Sequence, residues 1–229
     1  MLRTILYITG IIALIFSFSC KQSSDTKKII EAANTVDESL PYFNKPDWTP
    51  EWITSTDSVY KTIHKIPSFS FTNQDGNTIT QDYVNGKIYV ANFFFSRCRG
   101  ICPKMATNMQ LLQEAYKNDP DIALLSHSVT PESDSVSVLK KYALDNSVDT
   151  KKWNLLTGDK SKIYSLAKRE YFAGDSIGYY QTGNEFLHTE NFILVDKQRR
   201  IRGVYNGTLL LEIERIKNDI NTLKLEEEE

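Results

Sequence analysis

The run Val90-Ala91-Asn92-Phe93-Phe94-Phe95-Ser96-Arg97-Cys98-Arg99-Gly100-Ile101-Cys102-Pro103 constrains the fold more than any other stretch of the chain. Its apolar, aromatic-rich first half reads as a buried strand. Two cysteines then bracket a glycine-containing turn, and Pro103 stands where a helix can begin without losing a hydrogen bond. Met105, Met109, Leu111, Leu112 and Tyr116 continue as a rough helical stripe, which Asp119-Pro120 closes. The thiols are therefore expected at a strand-to-helix switch. Cys98 and Cys102 fall on one face if the turn winds as helix, close enough to share a metal ion or to close a disulfide. Unpaired amides at a helix start, together with Arg97 and Arg99, favour thiolate, the form that ligates metals and attacks disulfides. The alternative is a plain stabilising disulfide, although so short a loop constrains little in the unfolded chain.

Residues 1–20 read as a targeting segment: Arg3, an apolar run from Ile5 to Phe18, then Ser19 before Cys20. The run is short for a membrane span, and Lys21-Gln22-Ser23-Ser24-Asp25 ends it abruptly. It resembles a bacterial lipoprotein signal, in which Cys20 becomes the lipid-modified first residue of the mature protein; the alternative is an uncleaved N-terminal anchor. Either way the remainder is exported and anchored to a membrane of the bacterial cell envelope. Residues 21–62 are polar and read as a tether. Their one aromatic knot, Asp47-Trp48-Thr49-Pro50-Glu51-Trp52, either packs back on the domain or meets a partner.

Residues 63–229 are enough for one domain with its own core. Beyond Cys20 only Cys98 and Cys102 remain, which excludes a disulfide-stapled scaffold. A formal charge of −2 gives no electrostatic case for a nucleic-acid partner.

Within the domain, Ser68-Phe69-Ser70-Phe71 alternates as a half-buried strand, Asn73 to Asn77 is turn chemistry, and Thr78-Ile79-Thr80 answers as a second strand. Ile122 to Val129 and Trp153 to Leu156 read as further core strands. Helices are expected from Val136 to Ala143, with a cap in Thr130 to Ser135, and from Lys160 to Arg169. Tyr171 to Phe186 reads as a surface excursion. Leu187 to Asp196 and Ile201 to Tyr205 form an antiparallel pair about a polar turn, and Ile213, Ile216, Ile220 and Leu223 stripe a last helix. Alternating strands and helices predict an α/β layered domain with function at the carboxyl ends of its strands, where Cys98 lies.

On these residues the chain resembles the Sco/SenC family of copper-handling, thioredoxin-fold proteins. The likeness rests on Phe93 to Pro103, on His188 followed by Thr189-Glu190-Asn191-Phe192-Ile193-Leu194-Val195-Asp196, and on Leu155-Leu156-Thr157-Gly158 between them. The resemblance implies a thioredoxin-like fold, a central mixed sheet flanked by helices, in which Cys98, Cys102 and His188 bind one copper ion. It also implies a partner: the copper-site subunit of cytochrome c oxidase or another cuproprotein acceptor. Because a metal needs both sulfurs as thiolates, a thioredoxin-like reductant that opens the disulfide is expected as a second partner. The family usually has proline and aspartate between the cysteines where this chain has Arg99 and Gly100, and often Asp-Pro where it has Thr130-Pro131.

Donor chemistry agrees with that implication. Two thiolates and an imidazole form a soft set suited to Cu(I), with Cu(II) as a second state, whereas structural zinc takes four protein ligands. His127, at the end of a neighbouring strand, is a lesser candidate ligand, and Glu190 and Asp134 read as solvated or capping residues. The rival function is a thiol-disulfide oxidoreductase with Cys98 as nucleophile and Cys102 resolving the mixed disulfide. Against it stand the Cys-x-x-x-Cys spacing and the absence of a proline before Thr189.

Overall fold

A computed structural model of the protein describes residues 39–174 and 189–226. Cys20 with its signal segment, most of the expected excursion before Phe186, His188, and the tail beyond Glu226 lie outside the described residues.

In chain order the elements are β1 (Tyr42–Phe43), β2 (Pro50–Glu51), β3 (Ser70–Asn73), β4 (Thr78–Thr80), β5 (Ile88–Phe94), α1 (Cys102–Ala115), β6 (Ile122–Ser128), α2 (Val136–Asp145), β7 (Trp153–Thr157), α3 (Lys160–Ser165), β8 (Asn191–Val195), β9 (Ile201–Asn206) and α4 (Leu210–Glu226). β1 and β2 make a small ladder of their own; the remaining strands form one sheet in the order β4-β3-β7-β6-β5-β8-β9. β5, β6 and β7 run parallel, while β8 joins the other side of β5 antiparallel and β9 extends the edge. This is the mixed sheet of a thioredoxin-like fold.

Local chemistry sets the elements. In the β3–β4 hairpin, the Asn73 side chain accepts the Asp75 and Asn77 N–H groups at 3.0 and 2.9 Å, and Gly76 supplies the positive φ of 80° that the turn requires. Ser135 caps α2 by accepting the Val138 N–H, and Asp159 caps α3 by accepting that of Lys162. The helix expected to reach Arg169 instead widens into a π-helical turn over Leu166–Glu170. The Tyr171 N–H then returns to the Leu166 carbonyl at 3.0 Å, and Tyr171, Phe172 and Ala173 enter the core.

The sheet separates two apolar layers. Val90, Phe94, Leu124, Leu155 and Leu194 pack beneath α1, α2 and α4. Tyr89, Ala91, Phe93, Leu125, Leu156 and Ile193 pack beneath α3 and the residues after it. β5, β6 and β7 are buried along their whole lengths because both faces are covered, so they read as continuous rather than alternating apolar runs.

Residues 39–62, inside the stretch expected as tether, carry elements of their own that pack on the domain. The Trp48 ring lies 6.1 Å from that of Phe43 and 5.9 Å from that of Phe172, whereas Trp52 faces solvent. The Tyr42 ring sits 4.9 and 4.1 Å from the guanidinium carbons of Arg200 and Arg202. Arg202, only 3% exposed, pairs with Glu226 at 2.7 Å and Asp196 at 3.5 Å and donates to the Leu40 and Pro41 carbonyls. The Leu40 N–H closes the circuit on Glu226 at 2.6 Å.

Candidate metal and redox site

The dithiol stands where the sequence puts it, between the end of β5 and the start of α1. The turn begins when the Cys98 N–H bonds the Phe95 carbonyl at 3.2 Å, and α1 takes hold as the Met105 N–H reaches the Ile101 carbonyl at 3.0 Å. Pro103 occupies the first turn, where its missing N–H costs nothing, and neither a capping side chain nor an acid competes for the free amides.

Both cysteines are free thiols, Cys98 half-buried and Cys102 buried. Partial burial alone would raise the Cys98 thiol. The hydrogen bond from Cys102, together with the backbone of Cys102, Gly100 and Ile101, outweighs it and holds Cys98 below the ordinary thiol value. The opposite happens at Cys102, where burial and then the bond to Cys98 push the thiol up to about 12. One sulfur is thus accessible and inclined to ionise, and its neighbour is sheltered and holds its proton.

A buried carboxylate braces this turn. Asp134, fully buried, accepts the Ser96 N–H at 3.2 Å and the Ser96 hydroxyl at 2.5 Å. It also accepts the Ser128 hydroxyl at 2.6 Å and the Thr130 hydroxyl at 3.1 Å. The sequence reading as a solvated or capping residue is corrected: Ser135 does the capping, and Asp134, one position earlier, turns inward. The signal available in the sequence was a hydroxyl at the end of each of two buried strands, since buried hydroxyls need an acceptor. Tyr142 completes the surroundings, its phenol raised first by burial and then by the nearby charges of Cys102, Cys98 and Asp134.

His127 lies on the other side of the sheet. Successive residues of a strand face opposite ways, so Ser128 meets Asp134 while His127, paired with Phe93, joins the layer beneath α3. There it is enclosed by the rings of Phe69, Phe71, Phe93 and Tyr171, with centroids 5.3 to 6.2 Å away. Neither ring nitrogen has a hydrogen-bond partner. Burial drives its pKa down to about 4, only weakly opposed by the Asn92 backbone, so the ring is a neutral core residue.

The chain re-enters the described structure at Thr189. From there hydrogen bonds lead back to the cysteine helix: the Gly207 N–H donates to the Glu190 carbonyl at 2.8 Å, and Asn108 of α1 donates to the Gly207 carbonyl at 2.7 Å. Gly207 has to be glycine, because a Cβ there would stand 2.5 Å from the Phe192 ring. Glu190 itself is exposed. Among the described residues, no group of three or more His, Cys, Asp or Glu side chains converges to hold a metal ion.

A free, asymmetric dithiol at the carboxyl end of a central strand, leading into a helix on a sheet of this order, defines a thioredoxin-fold protein with a two-sulfur site. Comparison with known proteins narrows the class. The family model described as SCO1/SenC matches residues 58–224, and the chain belongs to that family. The SCO1 protein homolog of Bacillus subtilis (strain 168) is 31% identical over 146 residues, covering 63% of this chain and 75% of the relative. The structure of a SCO1/SenC family lipoprotein from Bacillus anthracis str. Ames superposes with a TM-score of 0.61 at 31% identity, covering 70% of this chain and 95% of that one. A Bradyrhizobium japonicum ScoI, solved with copper bound, shares the fold at 22% identity and a TM-score of 0.54, over 68% of this chain and 96% of its own.

Proposed function

We propose that this protein is a membrane-tethered copper carrier that takes up one copper ion through Cys98, Cys102 and His188. It passes the ion to the binuclear copper site of cytochrome c oxidase. The observation that carries the reading is the paired free thiols at the β5–α1 junction, one of them inclined to ionise. Two thiolates are the soft donors that select copper in its reduced state. Membership of a family described as cytochrome c oxidase assembly proteins supports the destination, and the His188-Thr189-Glu190 stretch by which the chain resembles that family supports His188 as the third donor. Attachment through a lipid on Cys20 is part of the same proposal, supported by the lipoprotein among its relatives.

The transfer follows from ligand chemistry. A metal needs both sulfurs as thiolates, so a Cys98–Cys102 disulfide must first be reduced by two electrons from an external dithiol. Copper enters as cargo and leaves by ligand exchange with a docked acceptor. Copper titration of the reduced and disulfide forms tests this. Stoichiometric uptake by the reduced form alone is expected, with uptake lost in Cys98→Ala and weakened in His188→Ala; wild-type affinity in either variant would falsify the ligand set.

The asymmetry of the two thiols favours a second reading, a thiol-disulfide reductase with Cys98 attacking and Cys102 resolving. Rapid reduction of a protein disulfide by a form that takes up negligible copper would make this the principal activity.

A further inference from the structure

The rim of the dithiol is basic. Arg97, Arg99 and Lys104 are exposed, and their side chains have no ion-pair or hydrogen-bond partner among the described residues. From Ser96 to Asn108 there is no aspartate or glutamate at all, although the whole chain carries a net charge of −2. A helix start already bears positive partial charge, and its ordinary occupants are acids. Here the first turn of α1 has none. The carboxylates nearest the turn are engaged elsewhere: Asp134, bonded to Ser96, is buried on its hydroxyls, Glu132 pairs with Lys160 at 3.1 Å, and Glu114, the first acid after the turn in the chain, pairs with Lys117. On the same turn, Phe95 and Ile101 are half-buried. Cations set against the local dipole, with no counter-charge among the described residues, leave a positive surface on the turn that carries the accessible sulfur.

We propose that Arg97, Arg99 and Lys104 form a docking rim for an acidic segment of a protein partner, which brings the partner's own sulfur or copper site against Cys98. The assignment rests on the reading of the dithiol as the exchange centre. Steering of this kind raises association rates by about 10- to 1000-fold and weakens with ionic strength. A lipid surface fits less well. Three cations fall short of the roughly four to eight that mark lipid-binding clusters, and a membrane laid on this rim would cover the sulfur that has to exchange.

Two disulfide-linked peptide dimers test the proposal, one with glutamates flanking its cysteine and one with lysines. The Cys98 thiolate attacks the peptide disulfide, forming a mixed disulfide and releasing one peptide thiolate. Cys102 then loses its proton to solvent and attacks the Cys98 sulfur. The second peptide leaves as the Cys98–Cys102 disulfide forms, so two electrons have passed to the peptides. At low ionic strength the glutamate dimer is expected to be reduced about tenfold or more faster than the lysine dimer, with the advantage shrinking as the screening length falls from about 30 Å to a few Å in high salt. The double variant Arg97→Glu/Lys104→Glu is expected to lose or invert that ratio.

Because the ratio compares two disulfides on one thiol, changes in the thiol's own reactivity cancel. A wild-type ratio near one, or both rates falling by one factor in the variant, would overturn the proposal. So would phosphatidylglycerol vesicles that bind the wild type but not the variant, which would give the rim to lipid. No copper enters the assay, so failure of copper uptake and failure of docking are separate results.

Discussion

The carboxylate of Asp134 holds both the N–H and the hydroxyl of Ser96, at 3.2 and 2.5 Å, and Ser96 stands two positions before Cys98. The brace ties the dithiol turn to the end of β6 through Ser128. Asp134→Ala leaves the hydroxyls of Ser96, Ser128 and Thr130 without their acceptor, and each buried unpaired group costs roughly 1 to 3 kcal/mol. With partial access to water, a net loss of about 3 kcal/mol is expected in urea unfolding. Asp134→Asn keeps an acceptor oxygen and is expected to lose about 1 kcal/mol. Slower alkylation of Cys98 by iodoacetamide in the alanine variant, with the asparagine variant near wild type, identifies geometry as the role. Equal behaviour of all three proteins would remove it.

The two thiols are expected to react in sequence. Cys98 is held below the ordinary thiol value, and Cys102 is raised to about 12. The iodoacetamide rate at Cys98 therefore persists to lower pH than that of a free cysteine, while Cys102 stays unmodified at neutral pH. Mass spectrometry of briefly treated reduced protein reads this directly. Single modification at Cys98 is the expected product, and comparable modification of both residues would contradict the asymmetry.

His127 makes stability depend on pH. Its folded pKa of about 4 lies below the ordinary 6.5, so between those values the unfolded chain binds a proton that the folded chain refuses. Stability is complete above about 6.5 and is lost as pH falls towards 4. A shift of this size corresponds to about 3 kcal/mol. Urea midpoints measured across that range should show the loss in wild type and a much flatter profile in His127→Leu. Identical profiles would mean that the histidine has found a partner.

The stretch from Val90 to Pro103 was legible because its pattern is strong and local: a continuous apolar run, two cysteines, a proline at a helix start. Ile213, Ile216, Ile220 and Leu223 were legible for the same reason and are all buried. What the sequence left open depends on partners distant along the chain. Nothing local shows that β3 sits antiparallel beside β7, a pairing carried by Thr72 opposite Thr157 and Asn73 opposite Leu156. Nor does a polar lead-in announce that Trp48 will meet Phe172 or that Arg202 will hold Leu40 and Pro41. Asp134 was misread because a serine-rich acidic turn before a helix is the usual composition of a cap, and only the neighbouring strand ends reveal that the acid faces inward. His127 could be placed only once the register of β5 with β6 was known, because a shift of one residue moves a side chain to the other face.

The Arg202 clasp on Leu40 and Glu226 fixes where this molecule can be held. Val195 lies opposite Tyr89 near the start of β5, and opposite Ile201, the neighbour of Arg202, so the clasp sits at the amino end of the strand whose carboxyl end leads to Cys98. At about 3.3 Å per residue, some 20 Å of rigid strand separates the two. A load applied at Leu40 would therefore grip the domain at its base and leave the accessible Cys98 at the far end, like the tip of a probe on its handle.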